Sequence, residues 1–578
     1  MNLIDALERV NLPVAENAHS LRVFLACGFT PLHLETFLAA HLREFNPAWR
    51  IELNSGLFGD LIGNLERMQP EEHDALAVVI EWPDLDSRLG LRTLGGWQVE
   101  KLPDIVKSVN QSLERLTRAL QRIASALPIC ICLPTLPLPP LFYTGMRQSS
   151  VFELGLRRNL ASFAEDLSVG RRVSVVSEQH LDENSPPGKR FDLRTDIAQG
   201  FPYKIFHAAQ LGELLAELIY RQGSKKGLIT DLDDTLWAGI LGEVGPEGIC
   251  WQLEQHAQIH GIYQQFLASL ASAGILIAAA SKNDATLVDH AFERDDLLLS
   301  KASVFPIEAH WRRKSESVQH ILTTWNVLPE SVVFVDDSPM EVAEVQSAFP
   351  EMECLVFPRD DYPAFWGMLG HLRNRFAKID ISDEDALRLQ SIRNSDLSWK
   401  RLGEDSLDDF LQQADGQLTF AFGKPADDSR AFELLNKTNQ FNLNGKRYDE
   451  AARAKFVKDS ETCLLTVSYQ DKFGKLGRIA VLIGRPSTKR FIVESWAMSC
   501  RAFSRRIEFH CLQYIFEKFA VDEIVFELQN TNRNAPLMTF LQQLVDWPIE
   551  ANPQLPKSSF LRKAPKMPHH IEEEPASG

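Results

Sequence analysis

One stretch, Lys225-Lys226-Gly227-Leu228-Ile229-Thr230-Asp231-Leu232-Asp233-Asp234-Thr235-Leu236-Trp237, constrains this chain more than any other. An apolar run of strand length ends in two carboxylates spaced i, i+2, and a hydroxyl follows. An unbroken apolar run suits a strand buried on both faces of a parallel sheet, which puts Asp231 and Asp233 at its carboxyl end. Open α/β sheets bind ligands along that edge. Two readings fit the pair taken alone. One is an acidic turn, since Asp is common in turns. The other is a phosphoryl site in which one aspartate attacks phosphorus, the next handles the proton, and Mg2+ offsets the clustered charge.

Three further pieces follow in order. Ile259, Ile262, Tyr263, Phe266, Leu267 and Leu270 recur at helical spacing up to a stop at Gly274. Ile275 to Ala280 then forms a second buried strand, ended by Ser281-Lys282-Asn283-Asp284. A serine there, with free amides at the next helix start, either caps the helix or holds phosphoryl oxygens. His310-Trp311-Arg312-Arg313-Lys314 opens another helix, and Lys314 either stays solvated or places its charge on a phosphate and on Asp231. Finally Val332 to Val335 runs into Asp336-Asp337-Ser338-Pro339, paired carboxylates suited to a hard cation.

The combination is more specific than any single piece. Its order and residues resemble the haloacid dehalogenase superfamily. The resemblance implies Asp231 as nucleophile and Asp233 as general acid. It also implies Thr235, Ser281, Lys282, Asn283 and Lys314 as substrate-binding residues, with Asp231, Asp233, Asp336 and Asp337 around Mg2+. The stretch between Thr235 and Ile275 is too short for a large cap domain, so an open site is expected. The continuation Leu236-Trp237-Ala238-Gly239-Ile240-Leu241-Gly242-Glu243, with Ser281-Lys282-Asn283-Asp284, resembles the FkbH-type branch. That resemblance implies a phosphorylated three-carbon donor, 1,3-bisphosphoglycerate. Its glyceryl group would pass through an enzyme thiol to the phosphopantetheine arm of an acyl carrier protein in polyketide or related metabolism, with loss of phosphate. One departure is the pair Glu341-Val342, where the family pattern carries an arginine second.

At 578 residues the chain exceeds what one core serves, and length alone implies roughly three or four domains. With 61 Lys and Arg against 78 Asp and Glu, the net charge of -17 has the wrong sign for a broad nucleic-acid footprint. An anionic substrate therefore needs locally placed Lys, Arg or metal. Residues 1 to 30 lack the pattern of a signal peptide, and no apolar run reaches membrane-spanning length, so a cytoplasmic protein without a membrane partner is expected. The eight cysteines show no zinc-type pair of pairs and are expected to be mostly reduced and buried.

Residues 1–222 alternate strands (Leu21 to Cys27, Ala75 to Trp82, Pro128 to Leu133, Arg172 to Val176) with helices (His33 to Leu42, Lys101 to Leu127, Val151 to Leu167), the grammar of a parallel α/β domain. The domain resembles the SGNH esterases, whose nucleophilic serine would fall at Gly28-Phe29-Thr30. No serine stands there, and position 204, three before His207, is lysine rather than aspartate. A degenerate domain with a docking or scaffolding role is expected. Cys130 and Cys132 fall on one face of a strand and read as packed thiols.

The haloacid dehalogenase-like domain is expected over residues 223–375 and a helical linker over 376–412. Residues 413–556 follow a different grammar: strands Leu418 to Phe422, Cys463 to Ser468, Ile479 to Ile483, Phe491 to Met498 and Glu523 to Leu528, with helices Arg430 to Lys437 and Arg505 to Phe519. This α+β order resembles a GNAT acyltransferase. Asn436-Lys437-Thr438-Asn439-Gln440-Phe441-Asn442, Asp471-Lys472-Phe473-Gly474 and Met498-Ser499-Cys500-Arg501 again resemble FkbH-type proteins. Cys500 falls at a strand end before a helix and beside Arg501, both of which lower a thiol pKa, although a buried structural cysteine fits as well. The resemblance implies that Cys500 carries the glyceryl thioester. Lys437, Thr438 and Asn439 could line the same cleft or simply end a polar helix. Ala502-Phe503-Ser504-Arg505-Arg506 lacks the glycines of a pyrophosphate loop, which speaks against free acetyl-CoA. The tail, 557–578, is expected to be disordered. Two rival readings stand beside glyceryl transfer: a phosphatase acting on another phosphorylated metabolite, and a non-catalytic adaptor that binds carrier proteins.

Overall fold

In the computed structural model, the described residues are 1–378 except 16–17, 141–143, 146, 171 and 221–222, then 392, 411–412 and 414–574. From the last span 424–428, 439–440, 449–451, 454–455, 458, 460, 473, 500–501, 503–504, 532–533 and 546–551 are excepted. The chain divides into two compact units, Met1–Gln222 and Gly223–Gly578.

The first unit is built on five parallel strands, β1 (Ser20–Cys27), β2 (Arg50–Ser55), β3 (Ala75–Val79), β4 (Ile129–Cys132) and β5 (Val173–Val175), in the order β2-β1-β3-β4-β5. Alternate side chains feed two cores. Ala26, Leu76, Val78, Ile129 and Ile131 go to one, and Val23, Leu25, Cys27, Ala77, Val79, Cys130 and Cys132 to the other. The expected helices are present as Leu32–Phe45, Leu102–Ala124 and Val151–Ser168. Edge strand β2, Arg-Ile-Glu-Leu-Asn-Ser, was not anticipated, because it is polar on one face and mostly exposed.

The second unit opens with another parallel sheet, β6 (Gly227–Thr230), β7 (Leu276–Ser281), β8 (Val304–Ala309), β9 (Val332–Asp336) and β10 (Glu353–Val356), ordered β10-β9-β6-β7-β8. Leu228, Ile277, Ala279, Val333 and Val335 bury on one face, Ile229, Leu276, Ala278, Val332 and Phe334 on the other. Two apolar faces explain why these strands read as continuous hydrophobic runs. The order makes β9, β6 and β7 neighbours, so the three sequence segments that end in polar residues finish side by side. Between β6 and β7 lie only a short helix, Leu241–Val244, a single turn at Leu253–Gln255 and the helix Gln258–Ser272; no cap domain is inserted.

A seven-stranded mixed sheet follows: β11 (Gln417–Phe422), β12 (Cys463–Asp471), β13 (Gly474–Pro486), β14 (Arg490–Met498), β15 (Glu523–Phe526), β16 (Gln554–Pro556) and β17 (His570–Glu574), ordered β16-β15-β14-β13-β12-β11-β17. The expectation of a disordered tail from residue 557 is corrected. Lys557–Lys563 is a helix that buries Phe560, and β17 pairs in parallel with β11. Composition misled here because β17 is exposed along its length and is held at one edge only. The buried His569, just before it, lies 3.0 Å from His510 (Nδ1 to Nε2). The linker expected over 376–412 lies almost wholly outside the described residues.

Within this sheet β14 pairs with β15 only from Arg490 to Val493, and from there to Met498 it keeps its pairing with β13 but leaves the β15 edge. The freed edge is taken by the chain's own residues 441–443: Leu443 N donates to Trp496 O at 2.9 Å and Met498 N to Phe441 O at 3.0 Å. Two buried amides fix this segment. Asn442 Nδ2 donates to the carbonyls of Leu435 and Thr438, and Asn534 Nδ2 to those of Asn442 and Gln529.

Candidate active site

The neighbouring ends of β9, β6 and β7 build the site. Strand pairing continues one residue past β6, where Asp231 N donates to Val335 O at 2.9 Å, so Asp231 is fixed by backbone before its side chain makes any contact. Asp231 and Asp336 are buried and Asp337 half-buried, and one carboxylate oxygen from each lies within 4.8 Å of the others. Lys314, the first residue of the helix Lys314–Trp325, is 2% exposed. Its Nζ donates to Asp231 Oδ1, to Asp336 Oδ2 at 2.8 Å and to the carbonyl of Ala280 at 2.7 Å, and lies 3.1 Å from Glu341 Oε2.

Burial pushes the Asp231 carboxyl up against the pull of Lys314. Burial, then the neighbouring Asp231 charge, takes Asp336 up to about 7, and burial with the charges of Asp336 and Asp234 takes Asp337 to about 6. Lys314 is desolvated, yet Asp231, Asp336 and Glu341 hold it protonated. One ammonium thus faces a surplus of carboxylate.

Of the residues expected around the metal, Asp231, Asp336 and Asp337 come together and the Asp233 carboxylate does not join them. Asp233 Oδ1 accepts from Trp237 Nε1 at 3.0 Å and from the Leu241 amide at 3.2 Å, and Oδ2 accepts from Asn283 Nδ2 at 3.0 Å. Asn283 also donates to Ser281 Oγ at 3.0 Å, so the Asp233 carboxylate and the Ser281 hydroxyl share one buried amide. Thr235 is wholly buried, and this corrects its expected contact with substrate. Its Oγ1 accepts from the Asp337 amide at 3.1 Å and its carbonyl from His260 Nδ1 at 2.9 Å, which locks the β6 and β9 loops together. Lys282 Nζ lies 2.7 Å from Glu341 Oε1.

Sequence reasoning missed two site residues. Glu341 bridges Lys282 and Lys314, and its carboxyl is held low by them despite burial. Arg359, in the loop after β10, places Nη1 2.6 Å from Asp234 Oδ2 and 3.7 Å from Asp337 Oδ2. Neither lies on a strand end; Glu341 stands first in the pair noted after Asp336-Asp337, but nothing in the sequence ties it to Lys282 and Lys314.

Cys500 and Asn439 lie outside the described residues, as does the Lys437 side chain. Thr438 is described: its carbonyl accepts from Asn442 Nδ2 and from Arg447 Nη1, which makes it part of the segment that closes β14. The other seven cysteines are free thiols, four of them buried. In the first unit, a Cβ at Gly28 would lie 1.7 Å from Asp84 Oδ1, so a serine there would have to displace the Asp84 carboxylate. His207 is fully buried, with Nδ1 2.9 Å from Ser185 Oγ and Nε2 3.1 Å from Thr135 Oγ1, and Thr135 in turn donates to Glu81.

No protein-family model matches the chain, and no curated protein does. Among solved structures, the N-terminal part of the protein BF1531 from Bacteroides fragilis, which contains a phosphatase domain and was crystallised with Mg, aligns at TM-score 0.52 and 17% identity. The alignment covers 66% of this chain and 100% of that one, and the likeness is one of fold. A candidate GDSL-like lipase from Parabacteroides merdae aligns at TM-score 0.25 and 14% identity, over 37% of this chain and 99% of that one. Among the described residues no helix is long and apolar enough to cross a membrane.

Proposed function

We propose that the edge of the β9-β6-β7 strands is a Mg2+-dependent phosphoryl-transfer centre with Asp231 as nucleophile. One observation carries this reading: three carboxylates converge within 4.8 Å at the ligand-binding edge of a parallel sheet, two of them held by a single buried lysine. The donor set is all carboxylate oxygen, which fits a hard cation and not a soft one. Asp231, Asp336 and Asp337 would hold Mg2+, which when bound supplies charge stabilisation for the phosphoryl oxygens.

The chain's own groups do the rest. Lys314 pulls the Asp231 carboxyl toward its ionised form and aims it, while Ser281 stands at the end of the neighbouring strand β7. An Asp231 oxygen forms a bond to phosphorus as the bond to the leaving oxygen breaks, and Asp233 delivers a proton to that oxygen. Asp233, now ionised, takes a proton from water; the water oxygen attacks the phosphorus of the aspartyl phosphate, and phosphate leaves with Asp231 restored. The open edge, without an inserted domain, suits a large or tethered substrate. Phosphate release from p-nitrophenyl phosphate with and without MgCl2 tests the reading, and absence of Mg2+-dependent release contradicts it.

The finer proposal is FkbH-type glyceryl transfer: the phosphorylated donor is 1,3-bisphosphoglycerate, and the glyceryl group passes by way of Cys500 to an acyl carrier protein. The motifs at 231–243, 281–284, 436–442 and 498–501 support it. Mixing the chain with that donor and a carrier protein and weighing the carrier intact tests it; an unchanged carrier mass sinks it.

A further inference from the structure

Lys314 has three N–H donors, and four acceptors already surround it: Asp231, Asp336, Glu341 and the Ala280 carbonyl. Lys282 is paired with Glu341. Arg359 differs from both. Its guanidinium carries five donors, of which Nη1 faces Asp234 and Asp337 and Nε lies 3.4 Å from Asp360, whereas Nη2 has no partner among the described residues.

The stem of Arg359 is anchored. Phe357 is 1% exposed, packs on His260, Tyr263 and Phe365, and donates its amide to Asp336 O at 2.9 Å. Arg359 N donates to Phe357 O at 3.1 Å, and Asp361 caps the helix Tyr362–Phe376 immediately beyond. The side chain beyond this fixed backbone is 48% exposed. Asp234, which it meets, is itself pinned by the Gly239 amide at 2.9 Å. A rigidly based cation with donors to spare therefore borders the carboxylate cluster on its accessible side.

We infer that Arg359 is a specificity-determining residue that binds a second anionic group, carboxylate or phosphate, on the substrate whose phosphoryl group reaches Asp231. The Nη2 of the always-charged guanidinium offers such a group charge-assisted N–H donors. The assignment rests on the phosphoryl-transfer reading above, and the test separates the two.

The probes are 3-phosphoglycerate and glycerol 3-phosphate, which share the phosphate ester and differ by carboxylate against hydroxymethyl; p-nitrophenyl phosphate reports on the centre alone. Wild type is expected to favour 3-phosphoglycerate by about 10- to 100-fold in kcat/KM, the worth of a charge-assisted contact. In Arg359→Gln that preference collapses through KM for 3-phosphoglycerate, while kcat/KM for glycerol 3-phosphate falls by less than about threefold, and Arg359→Lys recovers part of the preference. Equal losses on both esters, or a wild type that prefers neither, overturn the role of Arg359. No turnover of p-nitrophenyl phosphate by wild type with Mg2+ overturns the reading beneath it, and this proposal with it.

Discussion

Lys314 Nζ lies 2.8 Å from Asp336 Oδ2, with 2% and 0% of the two side chains exposed. At such burial neither partner can be removed without leaving the other uncompensated, and Asp231 shares the same ammonium. The pair therefore sets both the charge of the site and a large part of its local stability.

Lys314→Met should destabilise the chain by about 3–5 kcal/mol, because it leaves buried carboxylates without their counter-charge. Urea unfolding at pH 7.5 in EDTA checks this. A loss below about 1 kcal/mol would mean the cluster is better solvated than its burial indicates.

Asn283→Ala should lower kcat by about 10- to 100-fold, since its amide aligns both Asp233 and Ser281, and leave the Mg2+ concentration for half-maximal activity unchanged. A change in Mg2+ dependence instead would place Asn283 at the metal.

Asn534→Ala should cost about 2–3 kcal/mol, because it strips the side-chain donor from two carbonyls, those of Asn442 and Gln529, that hold the segment along β14. Hydrogen exchange offers a local check: protection at the Leu443 and Met498 amides should fall more than protection in β12.

Burial lowers the His207 pKa from the usual 6.5 to about 3, with Arg190 adding to the shift. The unfolded chain therefore binds more protons than the folded one between those values, and this contribution to stability is lost as pH falls through the window. Glu81 and Asp84, raised by burial to about 6 and about 7, act in the opposite sense. The signature is thus a difference: between pH 7 and pH 4.5 wild type should lose about 2 kcal/mol more than His207→Gln. Parallel pH profiles would contradict the assignment.

Much of this was legible in the sequence because the two parallel sheets are buried on both faces, so β3, β4, β6, β7 and β9 stand out as unbroken apolar runs and their ends mark the site. Asp231, Ser281 and Asp336 were readable for that reason, and Lys314 because it opens a helix just before β9. β2 and β17 were not, since an exposed edge strand held from one side needs little hydrophobicity. Arg359 and Glu341 were hidden for another reason: they reach the site through long side chains from a loop and a helix, and only the fold brings them near Asp337 and Lys314. Thr235 misled because a hydroxyl beside an acid motif reads as a ligand group, whereas the β9 loop claims it through the Asp337 amide.

The most direct test of the central claim is an acid-quenched single turnover with acetyl phosphate and MgCl2, followed by mass analysis of the peptides. One phosphoryl group is expected on the peptide containing Asp231, absent without Mg2+ and absent in Asp231→Asn together with turnover. Turnover that persists in Asp231→Asn would contradict it.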